Sequence, residues 1–173
     1  MAGTGTENWL SGPPPVLAMS DSEFRGLRRA ADYQFGRGGG AALFPSPSGV
    51  EITHTSSGRP RQVHADDGRV ATYATDGRFV LGLAGARRLL DASEGPRHRV
   101  VVGSESEPYV REGRNTCAKF VPTADPDLRP GDEAVVVHAN GDLLAVGRAE
   151  LPGHGMADFE TGMAVKVRQG NPD

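Results

Sequence analysis

Gly131-Asp132-Glu133-Ala134-Val135-Val136-Val137-His138-Ala139-Asn140-Gly141-Asp142-Leu143-Leu144-Ala145-Val146-Gly147-Arg148 is the stretch whose reading decides the fold. Asn140-Gly141 sits between two apolar runs, and Asn-Gly supplies the positive φ angles that a tight hairpin needs. The two runs, Ala134–Val137 and Leu143–Val146, are therefore expected as antiparallel strands. Gly147 inside the returning strand marks a bulge or a close backbone approach.

Downstream of this hairpin, Met156 and Phe159 define a helical turn ended by Gly162, and Met163–Arg168 reads as a closing strand. Upstream, Val100-Val101-Val102 suggests a strand buried on both sides. Glu107–Glu112 suggests one or two helical turns, Asn115–Val121 a further strand, and Pro122–Pro130 a long connection rich in Asp and Pro. Five or six short strands with two small helices in about 70 residues point to a small, mostly closed β-barrel. In the closing strand, alternation sends Met163, Val165 and Val167 inward. Ala164, Lys166 and Arg168 then face outward, with the two cations about 7 Å apart, close to the spacing of phosphates along a nucleic-acid strand. Arg148, Lys119 and Arg114 extend this patch from neighbouring segments. The competing reading pairs each cation with Glu112, Glu133 or Glu160, and spacing alone does not separate the two.

The preceding region has a different pattern. Ser20-Asp21-Ser22-Glu23 is a capping-box sequence, and Phe24, Leu27 and Ala31 recur at helical spacing. Arg25, Arg28 and Arg29 fall on the remaining faces, and Asp32-Tyr33-Gln34-Phe35-Gly36 ends the helix. Gly36-x-Gly38-x-x-Ala41 imitates a dinucleotide-binding fingerprint, but it follows a helix where that fingerprint must follow a strand. From Val50 the period becomes two, and turns at Ser56-Ser57-Gly58, Asp66-Asp67-Gly68 and Thr75-Asp76-Gly77 delimit an antiparallel meander. Ala84–Ala92 closes it as a short helix. The expected class is α+β: a helix-plus-antiparallel-sheet domain over residues 20–95, joined at Ser93-Glu94-Gly95-Pro96 to the β-barrel over residues 96–170. Residues 1–19, with Pro13-Pro14-Pro15 and no periodicity, read as a flexible tail.

Composition narrows the function. The chain of 173 residues has a formal charge of −3, with 24 Gly and 13 Pro. Residues 1–96 hold 10 Arg against 10 Asp and Glu, and residues 97–173 hold 9 Lys and Arg against 12 Asp and Glu. A phosphate-binding surface must therefore be local. No apolar run approaches the ~20 residues of a membrane span, and no signal peptide is evident, so a cytoplasmic protein is expected. Cys117 alone rules out a disulfide framework and a Cys-rich zinc site, and its place in an apolar strand pattern predicts a buried thiol. His54, His64, His98, His138 and His154 are scattered without metal spacing, and read as surface residues. No nucleophile elbow or phosphate-binding loop ending in Lys-Ser or Lys-Thr occurs. Asp66-Asp67 and Asp125/Asp127 lie in turns, where Asp is common for its local hydrogen bonds. No catalytic residue, metal or cofactor is expected.

Gly113-Arg114-Asn115, Leu128-Arg129-Pro130-Gly131-Asp132-Glu133, Leu144-Ala145-Val146-Gly147-Arg148-Ala149 and Gly162-Met163-Ala164-Val165-Lys166-Val167-Arg168 follow one another in an order that resembles a PUA domain. That is the RNA-binding pseudo-barrel of tRNA- and rRNA-modifying enzymes. Asp32-Tyr33-Gln34-Phe35-Gly36, Leu43-Phe44-Pro45, Gly58-Arg59-Pro60-Arg61 and Asp76-Gly77-Arg78-Phe79 resemble the domain before PUA in archaeal tRNA-guanine transglycosylases and archaeosine synthases. The resemblance covers residues 20–170 and implies an archaeal source. It implies a non-catalytic RNA-binding protein, with tRNA as ligand and no DNA or membrane partner. The catalytic barrel of those enzymes does not fit within these residues, and Thr116 before Cys117 departs from the Pro-Cys motif of the synthase. Expected RNA contacts are Arg114, Lys119, Arg148, Lys166 and Arg168, with Arg59 and Arg61 secondary. The alternative is a protein-interaction or RNA-delivery subunit of a tRNA-modifying, archaeosine-type or translation-related complex.

Overall fold

The structure, a computed structural model, describes residues 19–172; the tail expected over residues 1–19 lies outside it except for Met19. Helix α1 (Asp21–Phe35) starts where the capping pattern places it, with Ser20 Oγ accepting the Glu23 N–H at 3.1 Å. The return half of the box is not made, because the Glu23 carboxylate turns to His54 Nε2 at 2.8 Å. Phe24, Leu27, Ala31 and Phe35 form the buried stripe. Gly36, at φ 89°, ends the helix, and α2 (Gly39–Leu43) follows directly. The two helices cross so closely that a Cβ on Gly40 would stand 2.3 Å from the Arg28 carbonyl oxygen. Asp32 Oδ1 accepts the Gly40 N–H at 2.8 Å near the α2 N-terminus. The Gly36–Ala41 stretch is thus a helix–helix corner.

Strands β1 (Glu51–His54), β2 (Pro60–Ala65), β3 (Gly68–Tyr73) and β4 (Phe79–Leu81) form a four-stranded antiparallel meander in sequence order. Helix α3 (Leu83–Ala92) lies across it. Gly82 and Gly85 allow this approach, since a Cβ on either would stand 2.1 Å from a β3 carbonyl oxygen. The helix stripe and the sheet enclose Phe44, Ile52, Val63, Val70, Phe79 and Leu81.

The second unit runs β5 (Arg99–Val102), α4 (Glu107–Arg111), β6 (Thr116–Cys117), a 3-10 turn (Ala118–Phe120), β7 (Thr123–Ala124), β8 (Glu133–His138), β9 (Leu143–Ala149), α5 (Gly153–Met156) and β10 (Met163–Gly170). Its sheet order is β6-β10-β9-β8-β5-β7, with β5 and β8 parallel and the other pairs antiparallel. The two edge strands, β6 and β7, are joined through the 3-10 turn, so the sheet curls toward closure as a pseudo-barrel. The whole is α+β.

The chain does turn at Asn140-Gly141, but as a three-residue loop between the paired His138 and Asp142 in which Gly141 takes the positive φ, 98°, and Asn140 does not. The hairpin is the hinge of the packing because both its faces are covered. Ala134, Val136, Leu144 and Ala145 enter the barrel core, while Val135, Val137, Leu143 and Val146 join the core of the first unit. Burying each of those four side chains contributes roughly 1.5–3 kcal/mol. Gly147 meets both of its readings: a Cβ there would stand 2.2 Å from the Lys166 carbonyl oxygen, and the β9–β10 register shifts between Val167 and Gln169.

Several expectations differ from the structure, among them the helical turn through Phe159, since α5 spans only Gly153–Met156. Only Thr116–Cys117 of the Asn115–Val121 segment is strand, because Ala118 N–H turns to the Gly162 carbonyl and the chain coils. Cys117 is exposed rather than buried; it pairs with Met163, also exposed, across an irregular register. That irregularity between Met163 and Val165 also breaks the alternation of β10, leaving Ala164 and Val165 both buried.

Candidate nucleic-acid interface

The cross-strand pairs Glu133↔Arg148 and Arg148↔Lys166 put three charged side chains in one row across β8, β9 and β10. Directly paired residues in an antiparallel ladder share a face, and this face looks toward β4. Between the units lies a cleft of about 650 Å³, whose lining includes Gln34, Arg78, Phe79, Arg148, Lys166 and Arg168.

The floor of the cleft is fixed by polar contacts between the units and within the first. Gln34 takes both main-chain groups of Phe79, donating to its carbonyl at 2.8 Å and accepting its N–H at 2.6 Å. Leu81, two residues on, is held in the same way by a charged pair from the barrel. Its N–H donates to Glu133 Oε1 at 2.7 Å, and its carbonyl accepts from Arg168 Nη2 at 2.8 Å. Arg168 Nη2 also donates to Glu133 Oε1 at 2.6 Å. The Glu133 side chain is 7% exposed and that of Arg168 31%. Arg168 sits at the register shift of β10 and lines the same cleft as Lys166, two residues before it. Arg69 stands nearby; burial and then the Arg168 charge pull its guanidinium below the usual arginine range, with Glu133 opposing.

The remaining cations of the cleft are held loosely or not at all. Arg78 donates to Asp132 Oδ1 at 3.1 Å, with both side chains solvent-accessible. Arg148 donates from Nε and Nη2 to one oxygen of Glu150. Lys166 is exposed and has no carboxylate within ion-pair distance among the described residues.

The five expected RNA contacts therefore fall into separate places. Arg148, Lys166 and Arg168 line the cleft. Arg114 lines a hollow of about 190 Å³ between α4 and β6, with its guanidinium 5.7 Å from the centre of the Tyr109 ring. Thr116 Oγ1, also at this hollow, is buried without a hydrogen-bond partner. Lys119 lies 4.8 Å from the Phe120 ring centre, beside Glu160 and Met163. Arg59 and Arg61 are exposed on the β1–β2 hairpin and do not line the cleft. His154 is exposed as expected, whereas the other four histidines are partly buried: His54 and His138 are each 15% exposed and engage Glu23 and Ser104 respectively. Among the described residues no three His, Cys, Asp or Glu side chains converge as a metal site would require.

Sequence reasoning missed Arg78 and Gln34 as parts of one site, although both lie in the quoted Asp-Gly-Arg-Phe and Asp-Tyr-Gln-Phe-Gly blocks. The signal available was that two separated motifs of the first unit needed a common reason to exist. That reason is the β4 main chain, which Gln34 clamps and Arg78 flanks.

The meander unit and the pseudo-barrel, with cations gathered at their junction, each match a known domain family. Residues 25–96 match the patch-forming domain C2 of tRNA-guanine transglycosylase, and residues 98–170 match the PUA domain. The chain is 44% identical over 151 residues to the tRNA-guanine(15) transglycosylase of Pyrococcus abyssi, covering 87% of this chain and 25% of that protein. With the Pyrococcus furiosus protein of the same name it shares 48% over 141 residues, 81% of this chain and 23% of the other. It thus spans about a quarter of the length of these archaeal relatives. A hypothetical protein from Pyrococcus horikoshii OT3 has the same fold, at a TM-score of 0.68 and 22% identity. That likeness covers 90% of this chain and 93% of that one.

Proposed function

We propose that this protein binds structured RNA, tRNA foremost, in a tRNA-modification setting, and performs no chemistry on it itself. The observation that carries the reading is the 44% identity, sustained across both domains, to an enzyme named for acting on guanine 15 of tRNA. The cations support it. In this reading Arg114, Lys119, Arg148 and Lys166 contact phosphates, while Arg168, committed to Glu133 and Leu81, positions the unit that carries them. Arg59 and Arg61 are secondary contacts at the far hairpin. Arginine suits such sites through its forked donors. Among the described residues no helix is long and apolar enough to cross a membrane, and the cytoplasm is the compartment this reading implies.

The test is tRNA binding by the full chain across a salt series, beside an Arg114→Ala/Lys119→Ala variant. The expected result is salt-dependent binding, with the slope of log K against log salt flattened by ~0.7–0.9 for each lost phosphate contact. Absence of binding at low salt overturns the function, and unchanged affinity of the variant overturns those two contacts. The same reading includes a tRNA-modifying enzyme as partner, because the relatives carry these two domains on much longer chains. Co-purification that survives nuclease treatment supports such a partner; co-purification lost with the RNA removes it.

A further inference from the structure

We infer that the cleft between the two units is a composite phosphate site, formed by Arg78 of the first unit with Arg148 and Lys166 of the second. It rests on the RNA reading above and deepens it: the phosphate belongs to the bound RNA, and neither unit alone completes the site.

Both carboxylates that line the cleft are already engaged elsewhere. Glu133 is the carboxylate nearest in register to the cations, paired with Arg148 across the strands. It is nonetheless taken by Arg168 and by the Leu81 N–H, so it is no counter-ion for the rest of the row. Asp76, the other carboxylate on the cleft wall, accepts the Arg78 main-chain N–H at 3.0 Å within its own turn. Lys166 is left facing the cleft with no carboxylate in range among the described residues. Its three ammonium donors are free for a point-charge contact with an anion.

The two arginines complete the set because their existing contacts are partial. Arg78 uses only Nη2, toward Asp132, so Nε and Nη1 remain available. Arg148 uses Nε and Nη2 on a single oxygen of Glu150, leaving Nη1. Both pairs are half-exposed, at 47% and 28% for Arg78 and Asp132 and 52% and 32% for Arg148 and Glu150. Exposed pairs of this kind contribute only ~0–1 kcal/mol. A phosphate offers charge-assisted hydrogen bonds in return. The cleft, about 650 Å³, is floored by Phe79 and Val167 and has room for a phosphate with its attached sugar.

The site needs both units by construction. Arg78 reaches it because Gln34 anchors β4 to α1 while the Glu133–Arg168 pair holds β4 against the barrel. An RNA phosphate seated there bridges the C2 and PUA domains.

The test uses the full chain with Arg78→Ala, Lys166→Ala, the double variant, and Arg78→Lys, each checked for native circular dichroism. With tRNA, each single alanine variant is expected to flatten the salt slope by ~0.7–0.9. The double variant is expected to lose less than the sum of the singles, as residues sharing one ligand do. Arg78→Lys should restore much of the slope. The phosphate source is separated by following amide resonances of Arg78, Lys166 and Val167 with inorganic phosphate, a mononucleotide, and tRNA. Shifts with tRNA alone assign an RNA phosphate; shifts with inorganic phosphate or the mononucleotide assign a site for free phosphate groups. If Arg78→Ala leaves affinity and slope unchanged, the composite site is overturned while RNA binding stands. If the wild type binds no tRNA, the RNA reading fails. The phosphate titration then decides the site by itself, upheld by shifts at these three residues and overturned by none.

Discussion

Arg168 and Glu133 meet at 2.6 Å, and between them they hold both main-chain hydrogen-bonding groups of Leu81, a residue of the other unit. A strand edge is usually satisfied by another strand; here β4 is satisfied at Leu81 by two side chains of opposite charge. The pair is therefore a structural joint between domains, and the carboxylate is too buried to be left alone.

Removing one member should expose that dependence. Arg168→Ala leaves the Glu133 carboxylate with the Leu81 N–H as its remaining partner and is expected to cost roughly 2–3 kcal/mol. Arg168→Lys keeps the charge but cannot span Glu133 and the Leu81 carbonyl with one fork, so it should recover only part. Urea denaturation reads both: the midpoint falls in the order wild type, Lys, Ala. Equal midpoints would mean that the joint contributes nothing to stability.

This joint also shows where the sequence stopped being legible. Asn140-Gly141 announced its hairpin because the turn's demand is local, and Ser20 announced its cap for the same reason. Gly147 could be singled out, though not resolved, since a glycine in a strand signals crowding without naming the neighbour. Arg168 was read as an outward cation and does line the cleft with Lys166, but alternation along β10 could not say that Glu133 would claim it. Glu133 was in view only as one possible partner, its real neighbours lying 35 residues ahead in Arg168 and 52 behind in Leu81. Cys117 misled for a related reason: its strand is two residues long, too short for a pattern to say which way it faces. Contacts made by local chemistry were readable; those made by curling one sheet against another were not.

Three glycines should respond differently to alanine, and the difference tests the packing directly. Gly26 lies on the exposed face of α1 with nothing within 4 Å of an added Cβ. Gly26→Ala should stabilise by ~0.5–1 kcal/mol through helix propensity. Gly40 and Gly147 instead face carbonyl oxygens at 2.3 Å and 2.2 Å, so a Cβ there must move backbone. Each should destabilise by roughly 1–3 kcal/mol or more. Thermal melts of the three variants should therefore show one rise and two falls.

The hollow beside α4 makes a prediction of a different kind. Tyr109 is 54% exposed and carries the Arg114 guanidinium over its ring. If RNA is the ligand, an unpaired base can stack there, a contact worth ~1–3 kcal/mol and indifferent to salt. Tyr109→Ala should weaken binding of an RNA with a single-stranded end while leaving the salt slope unchanged. Arg114→Ala should weaken it and flatten the slope. Fluorescence anisotropy across a salt series separates the two, and a flattened slope for Tyr109→Ala would remove the stacking interpretation.

The hairpin β8–β9 belongs to two cores at once, and that determines how the molecule should unfold. Val135 and Val137 serve the first unit's core; Ala134 and Val136, one residue over on the same strand, serve the barrel's. Neither core can lose its partner without exposing the other side of this strand to water. Unfolding is therefore expected as a single transition, with calorimetric and van't Hoff enthalpies equal. Val70 in the meander and Val136 in the barrel should show amide exchange limited by the same global opening. Val135→Ala and Val136→Ala, on opposite faces, should each lower that one transition. Two separable transitions, with Val136→Ala moving only one, would show that the units fold independently despite the shared strand.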